Sequence, residues 1–598
     1  MKRFCLLILA CFVAAFANAD NFTAAEKAHP RIILRTGEFD AVRRLVKQDS
    51  VAQRLHKYIV KRADKLMTQP VSERIKTGKR LLTVSRSVLE RVTMWSYMYH
   101  FTGELKYAER AEREMLAVSA FSDWNPSHFL DVGELSAALA IGYDWLYDVL
   151  PETSRATIAE AIAEKALRAA EKRDYWWYKR GSNWNSVCNA GLVMGAAAIA
   201  ERYPDLAKHH IEKSTRSNHI VMPEYGPDGV YPEGYGYWDY GTWYQVLMIE
   251  TLRSINGNAD GLEKYPGFLE SARFMDYMQS FDRRTYNFSD SSASQNVSNP
   301  LLYWFAAESG DMSLLWNERR IYSSVKRPRI GSPRLLPIAM LFMLRCDLTK
   351  VEPSDNRCWS GQGKQPIFIC RDRNFYLGAK GGSARISHAH MDGGSFVYEW
   401  GGVRWATDLG MQNYYSLEKV GVDLWNMKQE AQRWEVFRIA LDSHNTLMVN
   451  NKRQNVAGQA LMTETYTDPD RSGAQFDLTS LYFDLENAVR TLWVDSVGKL
   501  TITDEMTAGD DKCLVRWTMC TPATPTIQSH NEILLESKGR KMLLRAKSSK
   551  GKVKAFVLPN TPPHSYDAPN KGSVRVGFHA HIPRGKSKIL TVELVPIN

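Results

Sequence analysis

Cysteine is scarce in this chain. Eight occur among 598 residues, and only Cys188, Cys346, Cys358, Cys370, Cys513 and Cys520 lie beyond residue 19. So thin a set excludes a disulfide-built scaffold. None stands in a CxxC pair, which argues against a thiolate zinc module. The six read as buried small hydrophobes with at most one disulfide. Long apolar runs are missing too. After the first nineteen residues no window reaches the roughly 18 apolar residues of a membrane helix, so no membrane span is expected. Nor is there a nucleic-acid recognition motif. Hydrophobic residues at 44% and charged residues at 24% are ordinary values, which excludes a disordered, collagen-like or coiled-coil chain. At this length two or three domains are expected.

What is present begins with a leader. Lys2 and Arg3 precede an apolar run from Phe4 to Phe16, and Ala17-Asn18-Ala19 forms a small-x-small cleavage site. Residues 1–19 therefore read as a secretory signal peptide, with Asp20 the mature start, and the protein as periplasmic or extracellular. Lys and Arg number 77 against 66 Asp and Glu, a formal +11 that falls to +9 without Lys2 and Arg3. A positive surplus favours anionic partners. Asn287-Phe288-Ser289 and two similar tripeptides match a glycosylation pattern that is common by chance, and no role is assigned to them.

Two periodicities divide the mature chain. From about 30 to 345 apolar residues recur at three- and four-residue steps, as in Ile158, Ala161, Ile162, Ala166 and Ala169, with similar windows at 190–202, 241–255 and 335–345. Short polar or Pro/Gly connections separate them, which predicts packed antiparallel helix pairs. Beyond about 365 the segments shorten and become β-branched, as in Ile367-Phe368-Ile369, Ser395-Phe396-Val397-Tyr398 and Leu500-Thr501-Ile502-Thr503. These predict antiparallel sheets packed face to face. The change falls between Lys350 and Pro366.

In the strand-rich half, Ser387-His388-Ala389-His390-Met391-Asp392-Gly393-Gly394 leads towards a strand. If extended, His388 and His390 point to opposite faces, so one could serve a metal while the other faces a cleft. Asp408 and His444 follow at long spacings; two imidazoles and a carboxylate suit zinc, and the plain alternative is hydrogen-bonded histidines at strand ends. In the helical half, Tyr175-Trp176-Trp177-Tyr178 is flanked by Lys172, Arg173, Lys179 and Arg180. A second aromatic cluster runs from Tyr231 to Gly241 and reads as an exposed irregular loop. Aromatic faces stack on sugar rings, while cationic side chains pair with sulfate or carboxylate. The alternative is aromatics that fill gaps between helices. Asn183, Asn185 and Asn189 cluster at a helix start, more amides than capping needs.

Taken together these segments resemble the heparinase II/III-like polysaccharide lyases. The resemblance rests on His29-Pro30-Arg31-Ile32, Leu130-Asp131-Val132-Gly133-Glu134-Leu135, Asn183-Trp184-Asn185, Glu233-Gly234 with Tyr237-Trp238, His388-x-His390-x-Asp392, Asp408-Leu409-Gly410 and Ser443-His444-Asn445-Thr446. It implies a multidomain α+β architecture: an incomplete α/α toroid over 20–350, an antiparallel β-sandwich over 365–490 and a C-terminal β region over 491–598. It also implies β-elimination at a uronic acid. Asn183, with Asn185 as rival, would neutralise the carboxylate; Tyr237, with Tyr240 as rival, would transfer the proton; His388 would be a second base or a carboxylate stabiliser. Trp184, Glu233, Trp238, Tyr414 and Tyr415 would contact substrate. His390, Asp408 and His444 would bind a zinc ion, structural in some members. Some members place a histidine near the Asn-Trp-Asn segment, and this sequence has only Asn there.

The function expected is a secreted lyase acting on an acidic polysaccharide, foremost heparin or heparan sulfate, with alginate and other uronate glycans open. A non-catalytic glycan-binding protein on the same scaffold is the rival class. A hydrolase would need two carboxylates across a cleft, for which Glu233 and Asp239 are the available pair. Oligomeric state, including a homodimer, is left open by the sequence.

Overall fold

Local periodicity and the folded elements agree in kind. In the computed structural model, which describes residues 24, 27–354 and 356–597, helices predominate up to about residue 350 and antiparallel strands beyond it. The leader expected over 1–19 lies outside the described residues. Two compact units form. One comprises the chain up to Val221 with Gly241–Glu263 and Pro333–Leu344; the other comprises Met222–Tyr240, Lys264–Ser332 and Arg345–Asn598. The helical region delimited from sequence, 20–350, is thus shared between both units.

The first unit is built from two kinds of helix. Ser50–Met67 buries one stripe, Val51, Leu55, Ile59 and Leu66 among it, as an amphipathic helix does. Leu130–Trp145 is apolar on most sides, and each of its residues, Asp131, Glu134 and Asp144 included, is buried. Asn183–Ala198 is buried at every position except Trp184. These two pack on each other, flanked by Leu82–Thr102 and Pro204–Asn218. Glycine permits the contact: a Cβ on Gly191 would lie 2.2 Å from the Gly133 carbonyl oxygen.

Two of the motifs behind the family resemblance are structural here. The Asp144 carboxylate takes His29 Nδ1 at 2.6 Å and the backbone N–H groups of Arg31 and Ile32 at 2.9 and 2.8 Å. Asp131 likewise accepts from the Leu81 N–H at 2.8 Å and Asn125 Nδ2 at 2.6 Å. Each carboxylate pins a preceding segment to the Leu130–Trp145 helix.

The second unit contains three antiparallel sheets. Five strands follow in sequential order from Cys358–Gly361 to Val403–Ala406, with Cys358 and Cys370 disulfide-bonded as direct cross-strand partners. Four strands run in the order Lys554–Pro559, Val574–Ile582, Cys513–Thr521, Leu447–Val449. Eight strands extend from Thr524–Ser529 at one edge to Leu461–Asp468 at the other. The division expected between 365–490 and 491–598 is crossed by hydrogen-bonded strands. Leu485–Val494 pairs with Leu500–Ala508, and Leu447–Val449 with Cys513–Thr521. One apolar cluster runs from Phe368 to Leu594 through both regions.

Glu318, in the Leu315–Ser324 helix of this unit, is a buried acid with a measurable consequence. It accepts hydrogen bonds from the Ser298 hydroxyl and, at 2.7 Å, from the Asn299 N–H. Burial outweighs those bonds and pushes its carboxyl up to about 7. The folded state therefore keeps a proton that the unfolded chain releases near 4.5. Its contribution to stability is full below that value and falls away as pH rises through about 7. The unfolding midpoint of the wild type is expected to drop from about pH 5 to pH 7, and Glu318→Gln to remove part of that drop. Identical pH dependence in thermal melts of the two proteins would contradict the assignment.

Candidate active site

The acid–base residues of the second unit converge on one buried carboxylate, Asp290. Its Oδ2 lies 3.1 Å from His388 Nδ1, 2.9 Å from the Tyr414 hydroxyl and 3.3 Å from Arg433 Nη2, and its Oδ1 lies 3.0 Å from His390 Nε2. Burial alone would raise the Asp290 carboxyl. The Arg433 charge and the hydrogen bonds of His388 and His390 outweigh it and hold the group well below the usual carboxylate range. An ionised carboxylate only accepts, so each of these neighbours donates.

Tyr237 completes the cluster. Its ring stacks on His388, with centroids 4.0 Å apart and planes 17° from parallel, and its hydroxyl is 2.8 Å from that of Tyr414. Because Tyr414 donates to Asp290, its oxygen accepts from Tyr237. Burial and the Asp290 charge push the Tyr414 phenol well above its ordinary value, so it stays protonated. His388 directs Nε2 the other way, 3.7 Å from Glu233 Oε1. Glu233 is buried, and its other oxygen accepts from the Tyr231 hydroxyl at 3.3 Å.

The elements that position these groups differ from the sequence expectation in two places. The aromatic segment is an irregular loop only as far as Gly234; the Tyr235–Asn256 helix begins at once after it. Gly234 has φ +88°, and a Cβ there would meet the Phe288 carbonyl oxygen at 2.9 Å, so glycine permits this sharp entry. In the helix Tyr237 is half-buried, whereas Trp238 is wholly buried against Phe305, with centroids 5.5 Å apart. Trp238 is therefore a core residue and not the substrate contact expected. Tyr240, one turn on, is buried. Asp239 accepts from the Ser332 hydroxyl at 2.6 Å; two residues from Tyr237, it leaves the helix on another side, which disfavours the hydrolase pair.

The second difference concerns the histidines. His388 and His390 precede the strand at Phe396–Trp400 and belong to no strand; His388 has φ +63°. Both rings reach the same carboxylate, Asp290, so the alternation expected of strand residues does not hold for them. His390 faces His444, with ring centroids 5.3 Å apart. His444 Nδ1 is 3.3 Å from Asp408 Oδ2, and ligand atoms of Asp392, Asp408 and His444 lie within 4.8 Å of one another. Asp392 was part of the quoted motif but absent from the expected ligand set. His390 Nδ1, His444 Nε2 and Asp392 Oδ2 are buried without a hydrogen-bond partner. Buried polar atoms are seldom left so. Two imidazoles and two carboxylates match the donor preference of zinc, so His390, Asp392, Asp408 and His444 fit a metal.

In the first unit, the amide of Asn185 is fully used. Its Nδ2 donates to the carbonyl oxygens of Trp177 and Ser217, and its Oδ1 accepts from Asn189 at 3.0 Å and Asn218 at 3.3 Å. Asn185 is a structural residue here. Asn183 is buried in the first turn of the same helix. Of the Tyr175–Tyr178 cluster only Trp176 is exposed, at 50%; the other three aromatics fill the interior. Trp176 lies 5.1 Å from Trp184 between ring centroids, and Trp184 lies 4.8 Å from His128. A histidine therefore does neighbour the Asn-Trp-Asn segment, supplied from fifty-odd residues earlier in the chain and invisible to a local motif.

Sequence reasoning missed Asp290, Arg433 and Trp425. Trp425 is 46% exposed and stands edge-on to His388 and Tyr414, with centroids 5.6 and 4.9 Å away. Tyr415, 44% exposed, adjoins Tyr414 in the Tyr414–Glu418 helix. Asp290 follows the Asn287-Phe288-Ser289 tripeptide, whose Asn287 is buried. No local signal marks it, because its partners lie 98 to 143 residues away.

A helical region followed by antiparallel sheets is the heparinase-like architecture. Residues 367–584 match the family model described as Heparinase II/III-like, C-terminal. Among solved structures it is similar to the heparinase III BT4657 gene product, at 13% identity over 88% of this chain and 78% of that one, with a TM-score of 0.56. It is also similar to a heparinase III at 13% identity, covering 85% and 77%, with a TM-score of 0.57. A third is the heparan sulfate lyase HepC from Pedobacter heparinus, at 12% identity, covering 95% and 92%, with a TM-score of 0.56. At these identities the likeness is one of fold. A comparison with curated protein sequences gives no match. Among the described residues no helix is long and apolar enough to cross a membrane.

Proposed function

We propose that this protein is a polysaccharide lyase that cleaves a uronate glycan, foremost heparin or heparan sulfate, by β-elimination. The observation that carries the reading is the stacked Tyr237–His388 pair, held by Tyr414 and Asp290. Elimination requires the C5 proton to leave and the departing O4 to receive one. With Nδ1 donated to Asp290, His388 offers Nε2 as the base for C5. Tyr237, which donates to Tyr414 in the free site, turns its O–H to O4 and gives up its proton there. The C5–H and C4–O4 bonds break, C4=C5 forms, and one proton passes from carbon to His388 while another passes from Tyr237 to oxygen. Asn183 is assigned to the substrate carboxylate, where a neutral amide donor favours the developing enolate. Trp425 and Tyr415 offer exposed aromatic faces for sugar rings, and the exposed Lys172, Arg173, Lys179 and Arg180 beside Trp176 suit a sulfated polymer.

A zinc ion held by His390, Asp392, Asp408 and His444 would satisfy the unpartnered buried atoms and fix the loop that carries His388. The leader read from the sequence would take the protein to the periplasm or beyond. The test is ultraviolet absorbance of the conjugated uronate during separate incubations with heparin, heparan sulfate, chondroitin sulfate, hyaluronan and alginate. A rise with the heparin-type polymers is expected. A rise with alginate alone would overturn the substrate but keep the chemistry. Binding with no rise on any polymer would favour a glycan-binding protein.

A further inference from the structure

We propose that Asp290 is a positioning residue that couples the candidate metal centre to the catalytic histidine, setting the tautomers of His388 and His390 at once. This rests on the lyase and metal readings above and adds the link between them.

The geometry is asymmetric in a telling way. Asp290 takes Nδ1–H from His388 but Nε2–H from His390. Its two oxygens therefore leave opposite nitrogens available: Nε2 on His388, on the Glu233 side, and Nδ1 on His390, buried without a hydrogen-bond partner in a ring whose centroid is 5.3 Å from that of His444. A metal ligand's other ring nitrogen is commonly held by a carboxylate that fixes tautomer and ring orientation. Here the same carboxylate also does this for the ring stacked on Tyr237. Its grip extends to the backbone. The Asp290 N–H donates to the His388 carbonyl at 3.0 Å, and His388 is held at φ +63°, a conformation uncommon in a non-glycine residue. Arg433, wholly buried, bonds Asp290 and also the carbonyls of Ala389 and Leu424 at 2.8 and 3.2 Å. It supplies the counter-charge and ties the peptide between the two histidines to the same carboxylate.

Asp290→Asn keeps shape and the backbone N–H but replaces one acceptor oxygen by a donor amide. One of the two imidazoles must then lose its partner or reverse its tautomer. Roughly 10–100-fold losses are expected both in kcat, with KM little changed, and in zinc affinity measured by competition with a chromogenic chelator. Asp290→Glu keeps the charge opposite Arg433 and moves the carboxylate by one methylene. It is expected to fold and to show the same two losses, which a purely charge-balancing residue would not. Zinc affinity unchanged in both folded variants, or kcat unchanged in both, would overturn the coupling. If the wild type cleaves none of the polymers, the lyase reading fails. The zinc titration of the variants still decides whether Asp290 orients His390, and the ¹⁵N shifts of the histidine rings decide whether it sets the His388 tautomer.

Discussion

Tyr237→Phe is expected to lower turnover on the susceptible polymer by about 10²–10⁴-fold, the usual worth of a positioned proton-transfer group. The substitution removes one hydroxyl and leaves the ring stacked on His388, so KM and the unfolding midpoint should barely move. Loss confined to kcat is the signature of an interaction made in the transition state. Tyr240→Phe serves as the internal control. Tyr240 is buried one turn further along the helix, and its variant should retain turnover within about threefold of the wild type. Initial rates from the ultraviolet assay give both values. Full activity in Tyr237→Phe would remove this phenol from the chemistry; loss in Tyr240→Phe alone would shift the role by one helical turn.

Metal removal should have the second large effect, and on stability first. His390 Nδ1, His444 Nε2 and Asp392 Oδ2 lie buried without hydrogen-bond partners. Groups so placed are costly unless something coordinates them. A site loaded a thousandfold above its Kd adds about 4 kcal/mol, and about 2–4 °C accompanies each kcal/mol in a domain of a few hundred residues. Chelation is therefore expected to lower the unfolding midpoint by roughly 10 °C, and added zinc to restore it. His444→Ala should purify with less metal and melt at the same temperature with or without chelator. An untreated protein that carries no stoichiometric metal, and whose melt ignores both chelator and zinc, would refute the metal assignment. Activity is expected to follow the melt, because the candidate ligand His390 and the candidate base His388 are two residues apart and share Asp290.

Much of the site was readable one residue at a time. Tyr237, His388, His390, Asp408 and His444 stand in short motifs whose residue types suit proton transfer and zinc, and the structure gathers all five within one unit. Asp392 stood in the same motif as His388 and His390, yet spacing alone could not show that its carboxylate turns towards His444. Trp238 and Asn185 looked equally eligible. Both proved internal, because helix position decides which neighbours face out, and Trp238 emerges one step round from Tyr237. Paired strands cross the boundary near 490 that the resemblance implied, because a sheet joins any strands whose edges match.

The sequence by itself determined the order of helical and strand-rich regions, the scarcity of thiols and the residue types available for catalysis. These follow from periodicity and composition, which act over a few residues. Only the tertiary structure decided which nitrogen of each histidine is occupied, which tyrosine meets His388, and that Asp290 joins the candidate base to the candidate metal ligands. Hydrogen bonds between groups about a hundred residues apart in sequence set those choices, and they exist only once packing has brought the chain segments together.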